Sequence, residues 1–297
     1  MTESKSNKPA KALMIVGTSS DAGKSFIAAA LCRYFTKAGL KVAPFKAQNM
    51  SRNAYQFPDG RQISKVQANQ ALACGVKAQL EMNPILLKPT ADRQSELIVM
   101  GESKGLYKAS EYFNNKEAFW PVVESAYQKL AMQHELIIVE GAGSPAEINL
   151  LENDFVNLGL AKRLGIPAIL VGDIERGGVF AAVYGTYKIL AEDLQKQLKA
   201  YLINRFRGDL KILEPGIDLL AEKLELPCLG VVPYCSAYLE PEDSLSAAES
   251  QIPAELKNKN LSPEDIRDFY SRELDRAADA VVSALNMEEL KKIIGLD

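Results

Sequence analysis

Histidine is almost missing from this chain: His134 is the only one in 297 residues. A serine–histidine–aspartate relay needs an imidazole base, and a zinc centre built on imidazoles needs several. A single histidine just ahead of a strand pattern reads as structural or as a surface residue, and a multi-histidine metal site is excluded by count. Cysteine is also scarce. Cys32, Cys74, Cys228 and Cys235 show no C-x-x-C spacing, which removes zinc-ribbon and dithiol motifs. Three of them lie in apolar patterns and read as reduced core thiols, an expectation that goes with a cytoplasmic location. No apolar run approaches the ~18 residues of a membrane span, so no membrane partner is expected. Residues 1–10 contain Lys5 and Lys8 but no apolar core, and read as a disordered tail and not as a signal peptide. There is no excess of positive charge: the formal net charge is −3, which argues against a nucleic-acid partner. No fixed-period repeat is visible.

What is present is an alternation. Near-continuous apolar runs at Ala12–Val16, Lys41–Phe45, Glu135–Val139, Pro167–Val171, Ala200–Ile203 and Cys228–Val232 read as strands. Between several of them lie helical patterns at 26–35, 63–74, 118–132, 155–164, 179–191 and 210–224. Pro84–Leu87 and Glu96–Met100 are short strand candidates, and Lys46–Gly60 reads as a polar loop. Strands apolar along their whole length are buried on both faces. The predicted fold class is therefore α/β: a doubly wound, mostly parallel sheet with helices on both faces. Residues 11–238 form this domain. Residues 239–262, with Pro241 and Pro253 among charged and small polar residues, read as a linker. Residues 263–297 read as one C-terminal helix, opened by Ser262-Pro263-Glu264-Asp265 and carrying an apolar stripe through Ile266, Tyr270, Leu274, Ala277, Val281 and Leu285. The stripe must pack on something. Its own domain is the default and a homodimer contact the alternative.

Chemistry concentrates after the first strand. Gly17-Thr18-Ser19-Ser20-Asp21-Ala22-Gly23-Lys24-Ser25 joins that strand to a helix that continues from Phe26. Strand, glycine-bearing loop and helix in this order make a phosphate-binding loop, because outward N–H groups at a helix N-terminus favour an anion. Thr18 stands where the G-x-x-x-x-G-K-[ST] pattern has its first glycine. Thr18 and Asp21 to Phe26 are the predicted nucleotide contacts, with Lys24 on the β- and γ-phosphate oxygens and the Ser25 hydroxyl on Mg²⁺. ATP and Mg²⁺ are the expected cofactors. In an open parallel sheet ligands gather at the carboxyl ends of strands. Those ends deliver Lys46, Gln48, Asn49, Ser51 and Asn53; Glu140; Asp173, Glu175 and Arg176; and Asn204 and Arg205. Glu140 closes an apolar strand and suits a metal or water ligand, with Ser25. Asn204 offers a donor and an acceptor to a base edge, and Arg205 follows it.

Four longer stretches then become specific: Pro44–Ser51, Glu140–Leu150, Asp173–Ala181 and Asn204–Asp209, with Asn83–Pro89 beside them. In order, they resemble the signature segments of the cobyric acid synthase family, over about residues 11–246; the variant phosphate loop is shared with dethiobiotin synthetase and cobyrinic acid a,c-diamide synthase. The resemblance implies a P-loop synthetase domain that amidates corrinoid carboxylates through acyl phosphates, starting from adenosylcobyrinic acid a,c-diamide. It implies catalytic roles for Lys24, Lys46 and Asp173, a corrinoid held by Gln48, Asn49, Ser51, Asn53, Glu175 and Arg176, and Mg²⁺ held by Ser25 and Glu140. Two departures stand out. Pro241–Leu245 is followed by a short linker and a terminal helix, without the glutamine amidotransferase domain such enzymes carry, so ammonia is expected from solution or from a separate glutaminase subunit. Gln62 and Ser64 replace a glutamate and a glycine. The alternatives are a dethiobiotin-synthetase-like ligase on another carboxylate or amine, and a non-catalytic nucleotide-binding paralogue.

Overall fold

The computed structural model describes residues 9–90, 94–239 and 262–296. In chain order the described elements are β1 (Lys11–Gly17), α1 (Lys24–Lys37), β2 (Val42–Phe45), β3 (Gln48–Met50), β4 (Ala54–Gln56), β5 (Gln62–Ser64), α2 (Lys65–Ala73), β6 (Ile85–Pro89), β7 (Gln94–Val99) and β8 (Glu102–Lys108). There follow α3 (Ala109–Asn114), α4 (Trp120–Gln133), β9 (Leu136–Glu140), α5 (Leu158–Leu164), β10 (Ala168–Asp173), α6 (Val179–Ile189), α7 (Glu192–Gln195), β11 (Leu198–Phe206), α8 (Leu210–Leu224), β12 (Cys228–Pro233), α9 (Pro263–Val282) and α10 (Met287–Ile294).

Six strands form a wholly parallel sheet in the order β12-β11-β10-β1-β9-β2. Side chains alternate across it, and the period of two in β1 shows the result. Met14 and Val16 enter one core with Phe45, Val139 and Leu170, under α4 to α6 and α8. Leu13 and Ile15 enter the other with Ile138, Val171 and residues of α1, α9 and α10. Burial on both faces is why these strands read as unbroken apolar runs. β1 is central, with β9 on one side and β10 on the other. β2 and β9 are laid on one side of it and β10 to β12 on the other, so the strand order reverses at β1, and the carboxyl ends of β1, β9 and β10 meet at one edge, the place where open α/β sheets bind ligands.

Two stretches differ from the sequence reading. The polar segment 46–60 is not a plain loop: it contains β3 and β4. β3 pairs with β6, and β7 and β8 follow antiparallel, making a four-stranded second sheet beside a small β4–β5 hairpin. β6 and β7 coincide with the strand candidates at 84–87 and 96–100; β3, β4 and β5 are three residues each and β8 is almost wholly exposed, so they lack the apolar signature of the central sheet. The C-terminal stripe is likewise not one helix. α9 ends at Val282, the Asn286 N–H donates to the Leu229 carbonyl (2.7 Å), and the Asn286 side chain caps α10 by accepting from the Glu289 N–H (3.1 Å). Gly230, at φ +149°, lies so close to this corner that a Cβ there would collide with the Ala284 carbonyl. α9 packs on α1, where Asp275 meets Arg33 and Lys37 at 2.6 Å each. The proposed linker, 239–262, lies outside the described residues except at its two ends, as do residues 1–8 of the tail.

Candidate active site

The phosphate loop is built as its sequence requires. The Thr18 N–H donates to the Val171 carbonyl (2.9 Å), tying the loop to β10. Gly23 caps α1 at φ +96°, a conformation L-residues avoid, and a Cβ there would strike the Asn204 side chain. Asn204 donates from Nδ2 to the Ala22 carbonyl (3.1 Å), so its amide group braces the loop from β11. Lys24 is buried, and its Nζ donates to the carbonyls of Ser19 (2.9 Å) and Gly143 (2.8 Å), joining the loop to the turn after β9. The side chain of Phe26 packs towards the core shared with α9.

Behind the loop sits a compact polar cluster. Glu140 ends β9 at 1% exposure. Its Oε1 accepts from Ser25 Oγ (2.7 Å) and from Lys46 Nζ (2.8 Å), and its Oε2 accepts from Gln70 Nε2 (2.6 Å). Burial pushes the Glu140 carboxyl up, but the Lys46 ammonium and the hydrogen bonds from Lys46, Ser25 and Gln70 outweigh it and hold the group below the usual carboxylate range. Gln70 comes from α2, one turn beyond Gln67, which accepts from Asn49 Nδ2 (3.1 Å); Asn49 Nδ2 also donates to Ser64 Oγ (2.6 Å). β3 and α2 are thereby locked onto the end of β9. Hard oxygen donors such as the Ser25 hydroxyl and the Glu140 carboxylate fit Mg²⁺, which takes few protein ligands and fills its shell with water and phosphate oxygens. No group of three or more histidine, cysteine, aspartate or glutamate residues able to hold a metal exists among the described residues.

In front of the loop opens a cavity of about 530 Å³. Its lining includes Ser20 and Asp21 of the loop, Gln48 to Met50 of β3, Gly143, and Phe113, Lys116 and Asp154. The structure thus gathers the phosphate loop, Gln48 and Asn49 around one space. Tyr112 donates its hydroxyl to Gln48 Oε1 (2.5 Å). Ser51 is buried and its Oγ accepts from the Asn53 N–H (3.0 Å), a local turn outside the cavity lining.

The remaining predicted residues stand apart from the cavity lining. Asp173 accepts on Oδ1 from the Glu175 N–H (2.9 Å) and on Oδ2 from Arg205 Nη1 (2.9 Å), so both carboxylate oxygens hold the β10–β11 corner. Arg205 takes φ +63°, a left-handed position that this pairing maintains. Arg176 faces Asp21 at 3.7 Å and Glu175 faces Arg207 at 3.6 Å, both exposed pairs worth little energetically. Gln62 sits on β5 and accepts from Lys88 Nζ (3.1 Å), away from the cavity wall. His134 caps α4, its Nδ1 2.9 Å from the Leu130 carbonyl. Cys32, Cys74, Cys228 and Cys235 are free thiols, the first two buried.

Several site residues escape sequence reasoning. Gln70 has a legible signal, since Gln67 and Gln70 share one face of α2 at a spacing of three. Lys116 and Asp154 have none: a one-turn 3₁₀ helix that opens at Lys116 and the loop before α5 are brought to the cavity only by the tertiary fold. Asn157 is another, its Nδ2 donating to the Ala142 carbonyl (2.7 Å) while its Oδ1 is buried without a partner.

The family model for the CobQ/CobB/MinD/ParA nucleotide binding domain matches residues 13–245. A cobyric acid synthase of Clostridium acetobutylicum is 48% identical over 231 residues, 78% of this chain and 47% of that protein. One of Ruminiclostridium cellulolyticum is 49% identical over 237 residues, 80% and 46% of the two chains. One of Listeria monocytogenes is 46% identical over 254 residues, 86% and 48%. The chain spans about half the length of the curated relatives it matches. No described helix is long and apolar enough to cross a membrane.

Proposed function

The chain belongs to the CobQ/CobB/MinD/ParA nucleotide binding domain family; on that premise we propose that it is an ATP-dependent carbon–nitrogen ligase that converts peripheral carboxylates of a corrinoid to amides, as cobyric acid synthases do. One observation carries the reading: the phosphate loop and the β3 segment Gln48–Met50 line a single cavity, with the Ser25–Glu140–Lys46 cluster directly behind the loop.

The residues divide the work. The α1 N-terminus and Lys24 bind and neutralise the triphosphate. Ser25 and Glu140 would hold Mg²⁺, which when bound shields the phosphate oxygens from the attacking anion. Lys46 keeps Glu140 ionised in a buried site, so the carboxylate stays ready as a ligand. A carboxylate oxygen of the substrate attacks the γ-phosphorus, the bond to the β-phosphate oxygen breaks, and ADP leaves. Ammonia then attacks the acyl carbon, the acyl C–O bond to phosphate breaks, phosphate departs and a proton is lost to give the amide. Catalysis here rests on positioning and charge stabilisation, without covalent participation of a side chain. Ammonia comes from solution or from a separate glutaminase subunit, and the site works in the cytoplasm.

Incubation of the protein with MgATP, ammonium and cobyrinic acid a,c-diamide, followed by mass spectrometry, tests this. The expected product series replaces one carboxyl hydroxyl by an amino group per step. ATP turnover with an unchanged corrinoid points to a different carboxylate or amine acceptor, and no turnover to a nucleotide-binding protein without ligase activity. Glutamine in place of ammonium is expected to give no product unless a glutaminase is added.

A further inference from the structure

Lys116 lines the cavity but takes no part in the cluster behind the phosphate loop. It belongs to the connection between α3 and α4 and is 4% exposed. Its ammonium lies over two aromatic rings, Nζ being 5.5 Å from the Phe113 centroid and 5.4 Å from that of Phe155. Its one hydrogen bond is to the Leu150 carbonyl at 3.5 Å, the outer limit for such a bond. Asp154 is the nearby acid, but its carboxylate is already occupied: Oδ1 accepts from the N–H groups of Val156 (2.9 Å) and Asn157 (3.0 Å), and Oδ2 from that of Gly159 (2.8 Å). Among the described residues no carboxylate comes within ion-pair distance of Lys116.

A buried ammonium with three donors and one weak acceptor is costly to keep. Burial accordingly lowers the Lys116 pKa, with Asp154 opposing the shift. Such a group gains most when an anion enters and completes its hydrogen bonds. The anion has to come through the cavity, whose wall Lys116 shares with Ser20 and Gly143 beside the phosphate loop. The triphosphate already has its own cations and N–H donors at that loop. The second anion of a ligase reaction is the carboxylate to be activated, and it must approach a phosphorus surrounded by negative oxygens.

We propose that Lys116 is the binding residue for the acceptor's carboxylate, holding it across the cavity from the phosphate loop; the Phe113 and Phe155 rings fix the lysine so that its ammonium faces the ligand. The inference rests on the ligase reading for the identity of the acceptor, and on the geometry of Lys116 for the anion site itself. The ammonium carries one carboxylate oxygen and leaves the other to attack.

Binding of two corrinoids separates the possibilities: cobyrinic acid a,c-diamide, and the same ring with every peripheral carboxylate amidated. Each is titrated in the presence of magnesium and a non-hydrolysable ATP analogue into the wild type, Lys116→Met and Lys116→Arg. The wild type is expected to prefer the carboxylate form. Lys116→Met should lose about tenfold to a hundredfold of that preference, the range for a hydrogen bond to a charged group. Lys116→Arg should keep most of it, and the affinity for the ATP analogue should be the same in all three. A Lys116→Met variant that retains the preference overturns the proposal. If the wild type binds neither corrinoid, the corrinoid reading fails, and a second arm decides for Lys116. Its acetylation by acetic anhydride is followed by peptide mass spectrometry with and without citrate as a plain carboxylate probe. Protection by citrate upholds the anion site and its absence overturns it. This arm uses the unaltered protein and so stands even if Lys116→Met does not fold.

Discussion

Two regions of the protein each bury a lysine, and they treat it oppositely. At the end of β9, Lys46 is 1% exposed and has a carboxylate at 2.8 Å, which is in turn bound by Ser25 and Gln70. In the α3–α4 connection, Lys116 is 4% exposed and has a single carbonyl at 3.5 Å. In the first region the lysine is paired within the protein, which keeps Glu140 ionised as a ligand; in the second the lysine is left to be completed by a ligand. Pairing within the protein fixes the first lysine in place, since breaking a buried ion pair is costly. Incompleteness makes a binding site, since the same desolvated charge strengthens any anion that reaches it.

The largest effect is expected at Glu140. Glu140→Ala removes the carboxylate that meets the buried Lys46 ammonium at 2.8 Å, and unfolding in urea is expected to show a loss of about 3–5 kcal/mol together with loss of ATP turnover. Lys46→Met is the converse and should cost slightly less, roughly 2–4 kcal/mol, because the orphaned carboxyl can take up a proton. The two proteins should also differ in the direction of their pH dependence. In the wild type the Glu140 pKa is held below its unfolded value of about 4.3, so its stabilisation is complete above that pH and fades as the pH falls through the lower folded value. With Lys46 gone, burial dominates, the folded pKa rises above the unfolded one, and stability declines as the pH rises from about 4.3 through the raised value. Urea midpoints between pH 4 and pH 8 read this directly; parallel profiles for the two proteins would refute the assignment.

Gly23→Ala forces a left-handed φ of +96° on a residue with a Cβ and drives it into Asn204. About 1–3 kcal/mol of stability should be lost, and calorimetric titration with ATP should show weakened binding. The smallest stability change is expected at Lys116. Lys116→Met removes a buried charge with no carboxylate partner, so the melting transition should stay within about 1 kcal/mol of the wild type or rise. A loss as large as that of Glu140→Ala would place Lys116 in the scaffold and not in the binding wall.

How far the sequence carries depends on the period of its signals. β1, the phosphate loop and α1 are legible together, because an apolar run, a Gly-Lys-Ser triplet and a helical pattern occur in fixed order within one stretch of chain. Glu140 is legible as a charge that abruptly ends an apolar strand. The second sheet is legible only at β6 and β7, which the apolar runs at 84–87 and 96–100 mark; β3 and the β4–β5 hairpin have strands of three residues each and β8 is almost wholly exposed, so neither length nor hydrophobic alternation marks them. Nor is the corner between α9 and α10. The apolar stripe runs through it, and what stops the helix is the Leu229 carbonyl and the close backbone at Gly230, both from β12.

Local pattern alone therefore determined the central parallel sheet, its two-sided burial and the loop at the end of its middle strand, because those features follow from side-chain periodicity and glycine conformations over a few neighbouring residues. Tertiary structure alone decided how the charges are matched. Lys46 meets a glutamate 94 positions away, and Asp154, near Lys116, spends its oxygens on backbone N–H groups. Both lysines look alike in the sequence. A buried charge is defined by the acceptors packed around it in space, and no spacing along the chain records those.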